Sequence, residues 1–171
     1  MAQFKTCKPS EMTKVEFVET FADIYEHSPW VAERTFEQGL NEASDNIEDL
    51  HAVMSSVMLN AKPQEQLDLI NAHPDLAGKA AVNGELTAAS TSEQAGAGIS
   101  QCTAEEFERF TDFNQRYKDR FQFPFIMAVK GADRHQILAS FAERIHNDQD
   151  TEFATAIQQI NKIALFRLQS M

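Results

Sequence analysis

The sequence predicts an all-α fold, one irregular helical bundle of about seven or eight helices with no significant sheet. Three observations predict it. Apolar residues recur at three-four spacing in one segment after another. Six glycines and five prolines in 171 residues leave few places for turns. Several segments also open on helix-capping signatures. A hydrophobic share of 43% and a charged share of 24% are ordinary globular values, and residues 1–171 can bury one sizeable core, so a single domain is expected.

The first helix should open on the capping box Thr13-Lys14-Val15-Glu16 and run to about Glu26, with Phe17, Phe21 and Tyr25 inward. Ser28 followed by Pro29 reads as an N-cap and first helical position, and Gly39 as the stop of that second helix. From Asp45 onward, Ile47, Leu50, Val53, Met54, Val57 and Met58 form one stripe, the clearest amphipathic helix of the chain. Lys62-Pro63 opens the next helix, which must stop near Ala72 because Pro74 disfavours a helical conformation at His73.

Residues 76–98 carry four glycines among Ala, Ser and Thr and suit loops and short helical turns. Thr103-Ala104-Glu105-Glu106 is a second capping box, followed by an aromatic stripe of Phe107, Phe110, Phe113, Tyr117 and Phe121 with Asn114 among them. Core packing accounts for most of those rings. Residues 123–129 are apolar around Pro124 and read either as a buried extended or tightly turned segment bounded by Gly131 or as the opening of a helix. Two more amphipathic helices, 133–145 and 150–168, complete the set.

A net charge of −11 without a Lys or Arg cluster repels phosphate backbones and anionic membranes, so neither nucleic acid nor a membrane is an expected partner. The two cysteines, Cys7 and Cys102, suggest no disulfide framework and no thiolate metal site. No apolar run has the length of a signal peptide or a membrane span, which makes the cytoplasm the default location. The histidines, at 27, 51, 73, 135 and 146, include no His-x-His and no His-Glu-x-x-His, so no metal is expected. Phosphate-loop and serine-nucleophile signatures are absent as well.

Two polar clusters border the small-residue loop: His73-Pro74-Asp75-Leu76-Ala77-Gly78-Lys79, and Ser90-Thr91-Ser92-Glu93-Gln94-Ala95-Gly96. If Ser90 caps a short helix, Glu93 is its third residue and the first-turn N–H groups face the same space, a corner that can hold a planar, amide-rich molecule. The same spacing serves a plain capping box, and His73 taken alone equally serves as a capping or packing residue.

Together these motifs resemble the 2-oxo-4-hydroxy-4-carboxy-5-ureidoimidazoline (OHCU) decarboxylase family. The resemblance rests on His73-Pro74-Asp75-Leu76 with Gly78-Lys79, on Ser90-x-x-Glu93-Gln94-Ala95-Gly96-Ala97-Gly98, on Phe123-Pro124-Phe125-Ile126 and on Ile163-Ala164-x-x-Arg167-Leu168, spread over nearly the whole chain. Gln122 stands where many members carry glycine. What the resemblance implies is an all-helical homodimeric carboxy-lyase that uses no cofactor and converts OHCU, a small ureidoimidazoline, to (S)-allantoin and carbon dioxide. It implies His73 and Glu93 as the catalytic pair. It further implies substrate contacts at Pro74, Ser90, Thr91, Ser92, Glu93, Gln94, Phe125, Ile126, Met127, Ala128, Val129 and Arg167.

The residue types suit that reaction. Imidazole exchanges a proton near neutral pH, so His73 fits proton transfer. Glu93 can accept from ureido or ring N–H groups, and Ser90 and Gln94 can complete a set that fixes the ring plane. Arg167 is expected on a carbonyl or ureido oxygen, because tight pairing with the departing carboxylate would oppose its loss. The backbone from Phe125 to Val129 can offer N–H groups to ring carbonyls. Two other readings compete: a cyclic-amide hydrolase using the same His and Glu, and a non-catalytic helical interaction domain.

Overall fold

Capping boxes open three of the helices of this chain. The computed structural model describes residues 2–78 and 84–171. Among them are eight α-helices: α1 Lys14–Phe21, α2 Trp30–Glu37, α3 Ile47–Leu59, α4 Pro63–Ala72, α5 Ala88–Gly96, α6 Ala104–Phe121, α7 Arg134–Arg144 and α8 Gln149–Gln169. Both expected capping boxes form, Thr13 with Glu16 and Thr103 with Glu106, and Asp133 with Gln136 adds a third at α7. Each such cap contributes on the order of 1 kcal/mol. The described residues contain no strand, only an isolated bridge between Gln3 and Asn46, and no helix among them is long and apolar enough to cross a membrane. The fold is all-α, as expected.

The residues gather into two compact units, one reaching to Ala72 and resumed over Ile160–Met171, the other His73–Gln159. In the first, Phe17 and Phe21 of α1, Val31 and Ala32 of α2, Leu50, Met54 and Met58 of α3, and Ala164 and Leu168 of α8 are buried. The first helix ends at Phe21 rather than near Glu26. The chain turns there because the carbonyls of Asp23 and Ile24, released from a helix ladder, accept from Arg167 Nη1 at 3.2 and 3.5 Å. Ser28 does not cap α2. Its hydroxyl donates to the Glu26 carbonyl at 2.9 Å, and Pro29 takes the cap position.

In the second unit the aromatic stripe of α6 meets the extended segment and α7. Phe110, Tyr117 and Phe121 are buried, while Phe107 remains 37% exposed. Phe125 stacks on Phe141 with centroids 3.7 Å apart, and Tyr117 meets Phe125 edge-on at 5.3 Å. Residues 123–129 are extended and buried except for half-buried Met127, and they open no helix. Side chains take over the backbone bonds that a helix would have supplied: Arg144 Nη1 donates to the Ile126 carbonyl at 2.7 Å, and the Ala128 N–H donates to Gln159 Oε1 at 2.9 Å.

Candidate active site

His73 follows directly on α4, half-buried, at the head of a tight turn. Two backbone features make that turn. Ala77 adopts a left-handed φ of +54°, rare for a residue with a side chain. A Cβ at position 78 would lie 2.7 Å from Asp75 Cβ, so only glycine fits there without displacement. The expected motif residue Lys79 lies outside the described residues.

Side chains of α5 and α6 tie the turn down. Gln94 Oε1 accepts from the Ala77 N–H at 3.0 Å, and Gln94 Nε2 donates to the Asp75 carbonyl at 3.3 Å. Asn114 Nδ2 of α6 donates to the Leu76 carbonyl at 2.8 Å, and Lys118 Nζ lies 2.7 Å from Asp75 Oδ2. The loop bearing His73 is therefore fixed to α5 by Gln94 and to α6 by Asn114 and Lys118.

Thr87, not Ser90, caps α5, its hydroxyl accepting from the Ser90 N–H at 3.2 Å. That overturns both expectations built on Ser90 as the cap: Ser90 is itself the third helical residue, and Glu93 lies a turn further on, outside any capping box. The physical reason is that Thr87 offers the same hydroxyl three residues earlier, where the extended backbone at φ −59° and ψ 158° suits a cap. Ser90 and Gln94, one helical turn apart, are buried, Glu93 beside them is half-buried, and Thr91 and Ser92 are exposed. Ser90, Glu93 and Gln94 thus share a face. Thr91 Oγ1 donates to the Thr87 carbonyl at 2.9 Å.

The extended segment supplies backbone. Phe125, Ile126, Ala128 and Val129 are buried. The Ala128 N–H is bound to Gln159, whereas the N–H groups of Ile126, Met127 and Val129 meet no acceptor among the described residues. Behind the segment, Glu152, fully buried, accepts from Arg144 Nε at 2.9 Å, Tyr117 Oη at 2.5 Å and Asn147 Nδ2 at 3.0 Å. Burial, with the Glu152 carboxylate second, pushes the Tyr117 phenol far above its ordinary value, so it stays a donor.

His73, Pro74, Ser90, Thr91, Ser92, Glu93, Gln94 and residues 125–129 all belong to the unit His73–Gln159. Arg167 belongs to the other, where it is 7% exposed and its Nη2 lies 2.8 Å from Glu26 Oε2. Among the described residues no three His, Cys, Asp or Glu side chains converge as metal ligands would. Sequence reasoning passed over Lys118, Arg144, Gln159 and Glu152. Arg144 and Glu152 had a legible signal, since each is a charge at helical spacing from buried apolar residues, Phe141 and Ala156 respectively. Nothing local marks Lys118 or Gln159.

The OHCU decarboxylase family model matches residues 10–169. The chain is 37% identical to the 2-oxo-4-hydroxy-4-carboxy-5-ureidoimidazoline decarboxylase of Halalkalicoccus jeotgali over 162 residues, 95% of this chain and 88% of that one. It is also 37% identical to the uric acid degradation bifunctional protein PucL of Bacillus subtilis, covering 93% of this chain and 31% of that longer one. A crystal structure of (S)-allantoin synthase superposes with a TM-score of 0.75 at 32% identity, over 95% of this chain and 52% of that one. An OHCU decarboxylase crystallised in the presence of (S)-allantoin shares the fold, with a TM-score of 0.67 at 20% identity over 82% of this chain and 89% of that one. With a family model spanning nearly its whole length and relatives matched almost end to end, the chain belongs to the OHCU decarboxylase family.

Proposed function

We propose that this chain, acting as one functional domain, decarboxylates OHCU to (S)-allantoin and carbon dioxide in urate degradation, with His73 and Glu93 as the catalytic pair and no cofactor. The family assignment makes it a carboxy-lyase. The observation that carries the residue assignment is the clamp: the loop bearing His73 is tied through both ends of Gln94 to the helix face that presents Ser90 and Glu93. A histidine and a carboxylate held on bonded elements are the pre-organised groups that a proton transfer needs.

Loss of carbon dioxide leaves an electron pair on the ring carbon that bore the carboxylate. The adjacent carbon–nitrogen double bond accepts it: a carbon–carbon double bond forms, and the ring nitrogen takes a proton. The resulting enol loses its hydroxyl proton while the neighbouring carbon gains one, which yields allantoin. The substrate is its own electron sink, so the protein has only to orient it, polarise it and move protons. His73 takes the hydroxyl proton and returns one to a single face, help worth about 10²–10⁴-fold in rate. Glu93 accepts from ureido and ring N–H groups, with Pro74, Ser90, Thr91, Ser92 and Gln94 bordering the same corner. The unengaged N–H groups of residues 125–129 donate to ring carbonyls in a water-poor setting. Arg167, whose charge Glu26 already balances, contacts a neutral oxygen of the substrate rather than the departing carboxylate.

The enzyme works in the cytoplasm as a homodimer on a small molecule, and its charge of −11 disfavours nucleic acid and anionic membranes. The test is turnover of freshly generated OHCU by chelated protein, followed by decay and product chirality, beside His73→Ala and Glu93→Ala. The expected result is fast formation of (S)-allantoin that chelation leaves intact and either substitution reduces by at least about 100-fold. Racemic allantoin at the spontaneous rate would overturn the proposal, and ring opening without carbon dioxide would replace it with hydrolysis.

A further inference from the structure

The substrate-facing backbone does not hold itself in place. Consecutive peptide planes in residues 126–128 are gripped from opposite ends. The Ile126 carbonyl accepts from Arg144 Nη1 at 2.7 Å, and in the next peptide plane the Ala128 N–H donates to Gln159 Oε1 at 2.9 Å. In a trans peptide the carbonyl of one residue and the N–H of the next point to opposite sides. Fixing the Ile126 carbonyl on Arg144 therefore fixes the Met127 N–H in the opposite direction, away from the buried guanidinium. Met127 is the one half-buried residue between buried neighbours, and its N–H meets no acceptor among the described residues.

Arg144 is itself buried and gripped from two sides. It is 9% exposed, its Nε is 2.9 Å from the fully buried Glu152, and its guanidinium lies over the Phe125 ring at 4.2 Å. Tyr117 and Asn147 complete the grip on Glu152. A cation donating to a carbonyl also polarises that amide and strengthens the donor on its other side. We infer that Arg144 and Gln159 are positioning residues that aim and sharpen the Met127 N–H as a hydrogen-bond donor to a carbonyl of the ureide substrate. This rests on the decarboxylase reading and adds to it a device lying outside the residues that touch substrate.

The test uses the full-length protein and two variants, Gln159→Ala and Arg144→Lys, with steady-state turnover of OHCU, thermal melting and the amide signal of Met127. Backbone ¹⁵N labelling at methionine gives few signals, since the chain has six, and Met127→Leu identifies the relevant one. In the wild type, (S)-allantoin should move the Met127 signal downfield. In each variant KM should rise about 3- to 10-fold, the loss of one well-aimed neutral hydrogen bond, and the Met127 response should shrink. Lysine keeps the charge beside Glu152 but cannot fork to the Ile126 carbonyl as well. If that variant fails to fold, Gln159→Ala decides alone, because Gln159 is only half-buried. A lowered melting point with KM and the Met127 response at wild-type values overturns the inference, as does a wild-type Met127 signal that saturating (S)-allantoin leaves in place. Wild-type turnover no faster than the blank overturns the decarboxylase reading and this inference with it.

Discussion

Gln94→Leu should cost both stability and turnover, and for a reason separate from any contact with substrate. The side chain is 5% exposed, and its two amide ends hold the Ala77 N–H at 3.0 Å and the Asp75 carbonyl at 3.3 Å. Leucine fills the volume but strands both backbone groups. An unsatisfied buried polar group costs about 1–3 kcal/mol, and the added apolar burial offsets part of two such costs, so a net loss of about 2–4 kcal/mol is expected. A domain stable by about 5–15 kcal/mol still folds. The His73 turn then keeps its ties to α6 through Asn114 and Lys118 but loses both bonds to Gln94. A displacement of about 1 Å at the imidazole is enough to lower kcat by about 100-fold. Urea unfolding of ligand-free enzyme, with chirality-resolved turnover beside it, reads both effects. A side chain that served only as a substrate contact would leave ligand-free stability alone. Gln94→Leu with wild-type stability would therefore refute the clamp even if activity vanished.

Gln122 ends α6 at φ +62°, a conformation that costs a residue with a side chain about 1–2 kcal/mol, so Gln122→Gly should raise stability by about 1 kcal/mol net of the greater chain entropy of glycine. Thermal melting should show a rise of about 2–4 °C, and an unchanged or lower melting point would contradict that account. The Thr103 N–H, then Arg134 and the Thr103 hydroxyl, hold the Glu106 carboxyl below its ordinary value. Its folded value lies below its unfolded one, so its stabilisation is complete above the usual carboxylate range near pH ~4.3 and disappears as pH falls through the lowered value. Glu106→Gln should accordingly melt lower than wild type at pH 7 and converge with it in acid. Parallel curves would show that the carboxylate contributes nothing there.

Helix existence was legible because apolar spacing and caps are local signals. Thr103 with Glu106 and Thr13 with Glu16 form as the sequence predicts, and α4 stops at Ala72 just before the Pro74 constraint. Boundaries failed where a distant partner competes for the backbone. The first helix stops at Phe21 because Arg167, far along the chain, takes the Asp23 and Ile24 carbonyls. Ser90 is not the cap because Thr87 offers the same chemistry three residues earlier, and spacing alone does not rank two hydroxyls. Likewise His73 and Gln94 stand out as motif residues, but the bond from Gln94 to the Ala77 N–H exists only once the turn has folded.

The second unit also sets how an acidic protein can handle an anionic substrate. Three of its cations are already matched: Lys118 lies 2.7 Å from Asp75, Arg134 2.8 Å from Glu106, and Arg144 2.9 Å from Glu152. Among these described residues, positive charge goes to holding the turn, α6 and the extended segment rather than to an open carboxylate pocket. A decarboxylase is served by that arrangement. A cation paired tightly with the substrate carboxylate stabilises the ground state and loses its partner as carbon dioxide forms, which raises the barrier. On the proposed reading, neutral donors such as the Met127 N–H act instead on a ring carbonyl conjugated with the nitrogen that accepts the electron pair. With the charges behind the backbone and, on the same reading, the backbone against the substrate, the binding energy is directed to the transition state.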